Sequence, residues 1–266
     1  MKPTISSLLV LIIMSLLISS CKKSDSSVNS GNSNVDNSNY FPASIGNYYK
    51  YNFERTDSTG IPAPGVTDTR YQGASGQAGN GVAYDIRQID SVTSDGFTSV
   101  YTTFFRKGDI GIYYFLDTTG FSENLPPEFI AYLPYLKVDQ ELLVLTSSLQ
   151  DGDTWPVFKV NLEQGGIALT VVDVEASYRG KENITLNLLS GTVTRPAVKI
   201  QYDFSIINPL TQEKQTLTAY GWFVANVGPA RWQGNGLLLD VFTRGEINFA
   251  DSASTGSEDL IDYNIK

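Results

Sequence analysis

Few of the side chains that usually carry out chemistry occur in this 266-residue chain. It contains no histidine and a single cysteine, Cys21. This composition excludes Ser-His-Asp triads, Cys-His nucleophiles, intramolecular disulfides and zinc sites built from cysteine and histidine. Any catalysis would therefore depend on carboxylates, lysine, tyrosine, serine or a hard cation.

Carboxylates are the main catalytic candidates, because glycan-cleaving enzymes use two of them about 5 to 10 Å apart. Strand-like segments carry Asp85, Asp203 and Glu246. An acid that alternates outward on a strand usually only faces solvent, so a carboxylate-dependent glycan hydrolase is an alternative hypothesis. The DGD at residues 151–153 lacks the further acids of a calcium-binding loop and is interpreted as a turn. We therefore assign no catalytic residue and predict neither a metal site nor a cofactor.

The single cysteine follows the longest apolar run in the chain. Residues 8–18, LLVLIIMSLLI, are too short to span a bilayer, which requires about 20 residues. With Lys2 before them and small residues after them, they match the apolar region of a secretory signal peptide. Residues 18–21, ISSC, resemble the lipobox of bacterial lipoproteins. This resemblance implies cleavage before Cys21, lipidation of its thiol and acylation of the new amino terminus, with palmitate among the acyl chains.

The residues after the cysteine bear on the choice of membrane. Lys22 stands where enterobacterial lipoproteins held at the inner membrane have aspartate, so the resemblance favours the outer membrane and its periplasmic face. Surface-export signals of Bacteroidetes lipoproteins contain several acids soon after the cysteine, whereas residues 22–27, KKSDSS, contain only Asp25. Display at the cell surface is therefore the alternative location.

The charge balance bears on the class of partner. Residues 1–20 contain one lysine and no acid, so their removal from a chain with 19 basic and 28 acidic residues leaves a net charge of −10. Nucleic-acid binding depends on contacts from lysine and arginine to phosphate, so no nucleic-acid partner is predicted. A basic membrane-binding patch is also disfavoured, which leaves the lipid as the expected membrane contact.

The composition divides the chain into three parts. Residues 1–20 are the predicted signal peptide, and residues 21–39 are a predicted lipidated tether. The tether is rich in Ser and Asn and has too little apolar content to offset its ordering entropy. From residue 40 aromatic and β-branched residues become frequent, and KIQYDFSI at residues 199–206 alternates apolar with polar positions, as a half-buried strand does. Residues 40–266 are therefore predicted to form a single antiparallel β domain.

Further strand-like runs alternate with turn-forming residues, which indicates an antiparallel all-β fold. The predicted strands are residues 48–53, 82–89, 99–106, 110–116, 167–176, 183–189, 199–206, 216–225 and 237–248. Residues 56–81 are rich in Gly, Pro and Thr and are predicted to form a long loop. A turn is predicted at YRGKEN, residues 178–183, and an irregular or partly helical insertion at residues 121–150.

Three short segments resemble motifs of uncharacterised outer-membrane lipoproteins from Bacteroidetes. The motifs are FPASIGNYYKY at residues 41–51, similar to an FPxxxGNxWxY-like opening with Tyr where Trp is common, DGDTW at 151–155, and WFVANVGPARW at 222–232, similar to a late VG segment. The resemblance implies a strongly curved antiparallel sheet or open half-barrel of the periplasmic-lipoprotein type. That family has no agreed activity, so the resemblance implies no catalytic residue.

Together these features favour a membrane-anchored, non-catalytic envelope lipoprotein whose β domain binds an apolar or glycan ligand, or a protein partner. Tyr220, Trp222 and Trp232 are the predicted ligand-groove aromatics, although aromatic residues at alternating positions more often belong to the core. Besides the hydrolase, a structural subunit of an outer-membrane complex is an alternative. The expected partners are the membrane, through the lipid on Cys21, and an envelope protein, lipid or glycan.

Overall fold

The structure is a computed structural model. The structure describes residues 37–42, 44, 46–77, 81–116, 118, 132–207, 213–245, 247 and 252–266. The predicted signal peptide, Cys21 and most of the predicted tether lie outside these residues, so their assignments stay predictions. Within the described ranges, no helix has both the length and the apolar character needed to cross a membrane.

Thirteen antiparallel strands form one continuous sheet in the described part of the chain, and the helix α1 (Gly236–Thr243) packs against it. The strands are β1 (Tyr48–Thr56), β2 (Pro62–Gln77), β3 (Ala83–Thr93), β4 (Thr98–Gly108), β5 (Gly111–Phe115), β6 (Leu136–Val138), β7 (Glu141–Thr146), β8 (Thr154–Gln164), β9 (Ile167–Leu188), β10 (Gly191–Ile207), β11 (Lys214–Val224), β12 (Gly228–Asn235) and β13 (Thr255–Asn264). Their order in the sheet is β6-β8-β9-β10-β11-β12-β13-β1-β2-β3-β4-β5-β7. The predicted antiparallel all-β fold class is confirmed.

The sheet curves until its two edge strands approach each other. β6 pairs with β8 at one edge and β7 pairs with β5 at the other, yet only Asp139 and Gln140 separate β6 from β7 along the chain. Asp139 N donates to the Lys159 carbonyl of β8 at 3.0 Å. The Gln140 carbonyl accepts from Leu116 N, just beyond β5, at 2.9 Å. The chain thus steps from one edge of the sheet to the other, and the predicted strongly curved, open sheet is confirmed.

The prediction of a strand at residues 237–248 is wrong, because most of this segment is helix α1. The Asn235 side chain accepts a hydrogen bond from Leu237 N at 3.1 Å and caps the helix at its start. All eight residues of α1 are buried, so the helix is enclosed on all sides. Four aliphatic residues of α1 are fully buried: Leu237, Leu238, Leu239 and Val241. The helix lies on the inner face of the curved sheet, and the opposite face is called the outer face here.

The prediction of a long loop at residues 56–81 is also wrong, because β2 occupies most of it and pairs with β1 and β3. Its Gly and Pro content conceals the alternation of the buried Thr67 and Thr69. Pro62 is the first residue of the strand, where a missing N–H is tolerated.

The predicted irregular insertion at residues 121–150 is regular in its second half. Residues 132–135 form a 3-10 turn, and β6 and β7 follow directly. In β7 four successive residues, 142–145, are buried, so this strand shows no alternation of apolar and polar positions. Residues 119–131 lie outside the described residues.

The predicted turn at residues 178–183 is instead a bend within the 22-residue strand β9. Gly180 has a φ of +91°, a value that L side chains rarely adopt. The pairing of β9 with β10 shifts register at the same level, between Val198 and Ile200, which marks a β-bulge. The hairpin of residues 181–198 beyond this bend is called the arm.

The arm crosses the outer face of the sheet over three neighbouring strands. On β11, Trp222 Nε1 donates to the carboxylate of Glu182 in the arm. On β12, Arg231 Nη2 donates to the Thr185 carbonyl at 3.3 Å. On β13, the Ile261 carbonyl accepts from Leu189 N at 2.7 Å. These hydrogen bonds reach β11, β12 and β13 but not the next strands, so the arm does not cover the outer face of β1, β2 and β3.

The described chain enters the sheet at the end that holds the β11–β12 turn and the carboxyl terminus. Asn226 N in that turn donates to the Asn39 carbonyl at 2.5 Å. Lys266 N donates to Asn47 Oδ1 at 3.0 Å. This end is called the entry end. The β1–β2 and β3–β4 hairpins lie at the opposite end, because β1 runs away from Tyr48 toward Thr56.

Candidate binding surface

The three aromatic residues predicted to line a groove lie on two different faces of the sheet. Tyr220 and Trp222 are on the outer face of β11, with ring centroids 6.0 Å apart. Trp232 is on the inner face of β12 and stacks on Phe242 of α1, with ring centroids 5.2 Å apart and planes 8° from parallel. The structure therefore brings two of the three residues together and places the third in the core.

Trp222 is covered by charged side chains and attaches the arm to the sheet. Trp222 is only 5% exposed, and its Nε1 donates to the Glu182 carboxylate. Lys199 Nζ lies 4.8 Å from the Trp222 ring centroid and 5.0 Å from that of Tyr220. Cation–π contacts of this kind stabilise by about 0.5 to 1 kcal/mol at exposed sites. The ring of Trp222 therefore offers no open face on which a sugar could stack.

The structure does not bring the candidate catalytic acids together. Asp85 is exposed on β3, whereas Asp203 lies on β10, six strands away from β3 in the sheet order. The Asp203 carboxylate accepts from Thr218 Oγ1 at 2.6 Å and from Gln201 Nε2 at 2.7 Å. Glu246 lies outside the described residues. Among the described residues no group of three or more Asp, Glu, His or Cys side chains is placed to hold a metal ion.

A buried group of charges, which sequence reasoning missed, joins α1 to β1 and β13. Arg55 Nη2 donates to Asp240 Oδ1 at 3.2 Å and to Glu258 Oε1 at 3.1 Å. Arg244 Nη1 also donates to Asp240 Oδ1, at 2.7 Å, and Thr243 Oγ1 donates to Glu258 Oε1 at 3.1 Å. Both carboxylates are buried and already accept from positive or hydroxyl donors, so a substrate cannot reach them. This group, called the charge cluster, positions the helix.

A second hydrogen-bonded group lies on the outer face and ties β3, β4 and β7 together. Glu141 accepts from Tyr84 OH at 2.5 Å and from Arg106 Nε and Nη2 at 2.6 and 2.7 Å. The two-pronged bond from Arg106 is the main reason that the pKa of Glu141 lies below its usual value. The carboxylate therefore stays ionised and acts as an acceptor that joins three strands.

A trough of about 600 Å³ crosses the outer face of β13, β1, β2 and β3, directly beside the part covered by the arm. Two rows of residues that are neighbours across the strands form its floor. The rows are Asp259, Asn52, Val66 and Val92, and Ser257, Glu54, Pro64 and Ser94. The eight residues come from four separate stretches of the sequence, and the pairing register of the four strands places them side by side.

One side of the trough is acidic and the other is apolar. Glu54 on β1 and Asp259 on β13 form the acidic side, and Val66 and Val92 on β2 and β3 form the apolar side. Asp259 pairs with Arg231 Nε at 2.5 Å. Glu54 is exposed and has no ion-pair partner within the part of the chain that the structure describes. The trough thus offers an uncompensated negative charge on Glu54, one strand spacing from Val66 on β2 and two strand spacings, or about 10 Å, from Val92 on β3.

Two hairpin tips border the trough and expose large apolar side chains. Ile61 in the β1–β2 hairpin is 64% exposed, and Phe97 in the β3–β4 hairpin is 65% exposed. Ser94 N donates to the Pro64 carbonyl at 2.9 Å, which holds the two hairpins side by side. The trough together with the tips at residues 57–61 and 94–97 is called the far-end surface.

Each tip also carries an ionised aspartate. The hydroxyl of Thr59 donates to Asp57 Oδ1 at 2.6 Å, and Thr93 donates in the same way to Asp95. These hydroxyl donors are the main reason that the pKa of each aspartate lies below its usual value. Both tips therefore stay negative well below neutral pH, and they add to the charge of the trough.

Comparisons with known proteins assign neither a family nor an activity to the chain. No protein-family model matches it, and no curated protein matches it. Three solved structures align with it. A protein of Bacteroides fragilis, described as exported and as having a YmcC-like fold, is 15% identical over 84% of this chain and 98% of its own, with a TM-score of 0.42. A protein of Parabacteroides distasonis described as a lipoprotein is 12% identical over 85% of this chain and 98% of its own, with a TM-score of 0.38, and the hypothetical lipoprotein YmcC of Escherichia coli is 9% identical over 98% of this chain and 97% of its own, with a TM-score of 0.33. Because all three TM-scores lie below 0.5, no function of this chain is inferred from them.

Proposed function

We propose that this chain is an envelope lipoprotein, anchored by a lipid on Cys21, whose β domain binds a partner through the far-end surface instead of carrying out catalysis. The observation that carries the proposal is the open trough of about 600 Å³, which the arm leaves uncovered and which two apolar hairpin tips border. Large apolar side chains exposed beside a concave surface are typical of interaction sites.

The location of the far-end surface supports this role. The described chain joins the sheet at the entry end, where Asn226 N donates to the Asn39 carbonyl, and the far-end surface lies at the opposite end. A tether of Ser- and Asn-rich sequence reaches about 25 Å in root-mean-square length. Such an attachment leaves the far-end surface accessible to other envelope components. The outer membrane, facing the periplasm, is the proposed location.

The lipid anchor is tested by replacing Cys21 with alanine. Radiolabelled palmitate is expected to enter the wild-type protein in its host and to be absent from Cys21→Ala, because only the thiol forms the thioether. The wild type is expected in the membrane fraction, since each buried methylene adds about 0.8 kcal/mol to membrane binding. A Ser24→Ala variant, which keeps the cysteine, serves as the control. Equal labelling of Cys21→Ala and the wild type would contradict the anchor.

The binding role is tested with a photocrosslinking amino acid placed at one site at a time. At Val92, in the trough, light is expected to produce a covalent adduct in cells of the native host. At Leu189, an equally apolar and more exposed residue near the arm's end, no adduct is expected. Gel shifts and mass spectrometry of the anchored protein measure the adducts. The absence of an adduct at Val92, or equal adducts at both positions, would overturn the proposed binding function.

A further inference from the structure

The far-end surface carries more negative than positive charge. Its described carboxylates are Glu54, Asp57, Asp95 and Asp259. The cation in contact with one of them is Arg231, which pairs with Asp259. Arg55, which follows Glu54 in β1, points to the inner face and is engaged in the charge cluster. Three carboxylates therefore lack a cation among the described residues, and a partner with positive groups would compensate them.

The spacing of the trough matches that of an extended polypeptide. From β13 to β3 the trough crosses three strand spacings, or about 14 Å. An extended chain rises about 3.3 Å per residue and points every second side chain to the same face. A segment of about five residues therefore spans the trough. A basic side chain near Glu54 and an apolar one near Val92 would be two to four positions apart.

The chemistry of the surface narrows the class of partner. Phe53, the aromatic residue that lines the trough, is only 4% exposed and offers no open ring face on which a sugar could stack. The acidic tips would repel phosphate groups and anionic lipids. The exposed Ile61 and Phe97 extend the apolar area beyond what a small amine would cover. We propose that the far-end surface binds an extended segment of another envelope protein in which basic and apolar residues alternate. This proposal rests on the binding function proposed above.

The test uses the full-length chain in detergent and three labelled ten-residue peptides, with fluorescence anisotropy as the measurement. The first peptide repeats Lys-Ser-Val-Ser, so that Lys and Val are two positions apart and point to the same face. In the second peptide Glu replaces Lys, and in the third Ser replaces Val. The first is expected to bind at least about tenfold more tightly than either of the others, and to weaken as salt rises, because its attraction to Glu54 is screened.

Charge reversal in the trough distinguishes a specific site from general attraction. Glu54→Lys is expected to weaken binding of the first peptide by about tenfold or more, because it turns an attraction into a repulsion. Glu163→Lys makes the same change in net charge at an exposed position of β8 outside the far-end surface, and should change binding less than twofold. Both positions are exposed, so circular dichroism and melting temperature are expected to match the wild type. Equal weakening by both variants would overturn the proposed site.

The photocrosslinking experiment separates this proposal from the binding function itself. A polypeptide adduct at Val92 together with Glu54-dependent peptide binding supports both. An adduct at Val92 that proves to be a glycan or a lipid, or an adduct without any binding of the Lys–Val peptide, overturns the polypeptide class and leaves the binding function standing. The absence of both adduct and peptide binding overturns both proposals.

Discussion

Replacing Glu258 with alanine is expected to lower the free energy of unfolding by about 3 to 5 kcal/mol, because it leaves buried donors without their acceptor. Glu258 is 2% exposed on the inner face of β13. Its carboxylate accepts from Arg55 Nη2 and from Thr243 Oγ1, each at 3.1 Å. Without it, the guanidinium of Arg55 stays between sheet and helix with Asp240 as its remaining carboxylate in the charge cluster.

Urea denaturation of the full-length chain, followed by tryptophan fluorescence, measures this loss. The matched control is Asp259→Ala, which removes the next acid along the chain. Asp259 faces outward and forms a partly exposed pair with Arg231, so its loss is expected to cost at most about 1 kcal/mol. Glu258→Gln is expected to cost less than Glu258→Ala, because it keeps an acceptor of the same shape. Similar small losses from both alanine variants would show that the charge cluster does not hold α1 to the sheet.

The contrast between these two neighbouring acids shows where sequence reasoning ends. The stretch around them, SEDLIDYN, is part of β13 but contains few apolar residues, and no strand is predicted there. Without a strand there is no alternation to place Glu258 inward and Asp259 outward. The choice follows from the pairing of Glu258 with Phe53 of β1 and with Trp232 of β12, both more than 20 residues away in the sequence. A buried salt bridge therefore looks like an ordinary solvated acid in the sequence.

Strands with strict alternation were predictable because one buried face imposes a period of two. In β10 the predicted apolar positions Ile200, Tyr202 and Phe204 are all buried. The same reasoning fails for α1, because an apolar run such as LLLDVF lacks a period and fits a buried strand or a buried helix equally well. Its helical state depends on the enclosed space that the curved sheet provides, which is a tertiary property.

The candidate binding surface was less predictable than the fold. The aromatic residues singled out from the sequence, Tyr220, Trp222 and Trp232, belong to adjacent strands, yet a register that the sequence does not reveal places Trp232 on the opposite face. The trough is built from short polar and aliphatic side chains such as Asn52 and Val66, which are common on any sheet. Only the pairing of four strands, and the bend at Gly180 that directs the arm elsewhere, make these residues an open concave surface.

Trp232→Ala is expected to destabilise the protein by about 3 to 5 kcal/mol, since it removes a large side chain from the centre of the core. Trp232 stacks on Phe242 of α1, and its ring centroid lies 5.5 Å from that of Phe223 and 5.8 Å from that of Tyr202. A methyl group added at Gly221 would lie 2.7 Å from the Trp232 ring, so the indole fills the space beneath the neighbouring strand. Alanine would leave a cavity between α1 and the sheet in place of these ring contacts.

The matched variant Trp222→Ala removes the same side chain from the outer face, where it attaches the arm through Glu182. Hydrogen exchange measured by mass spectrometry distinguishes the two roles, because local opening follows the contacts that are lost. Trp232→Ala is expected to speed exchange in α1, whereas Trp222→Ala is expected to speed exchange in residues 181–198 and leave α1 protected. If Trp222→Ala exposed α1 as much as Trp232→Ala does, the division of the two tryptophans between arm and core would be wrong. Because the two variants remove the same side chain from opposite faces of two paired strands, the comparison tests the register between β11 and β12.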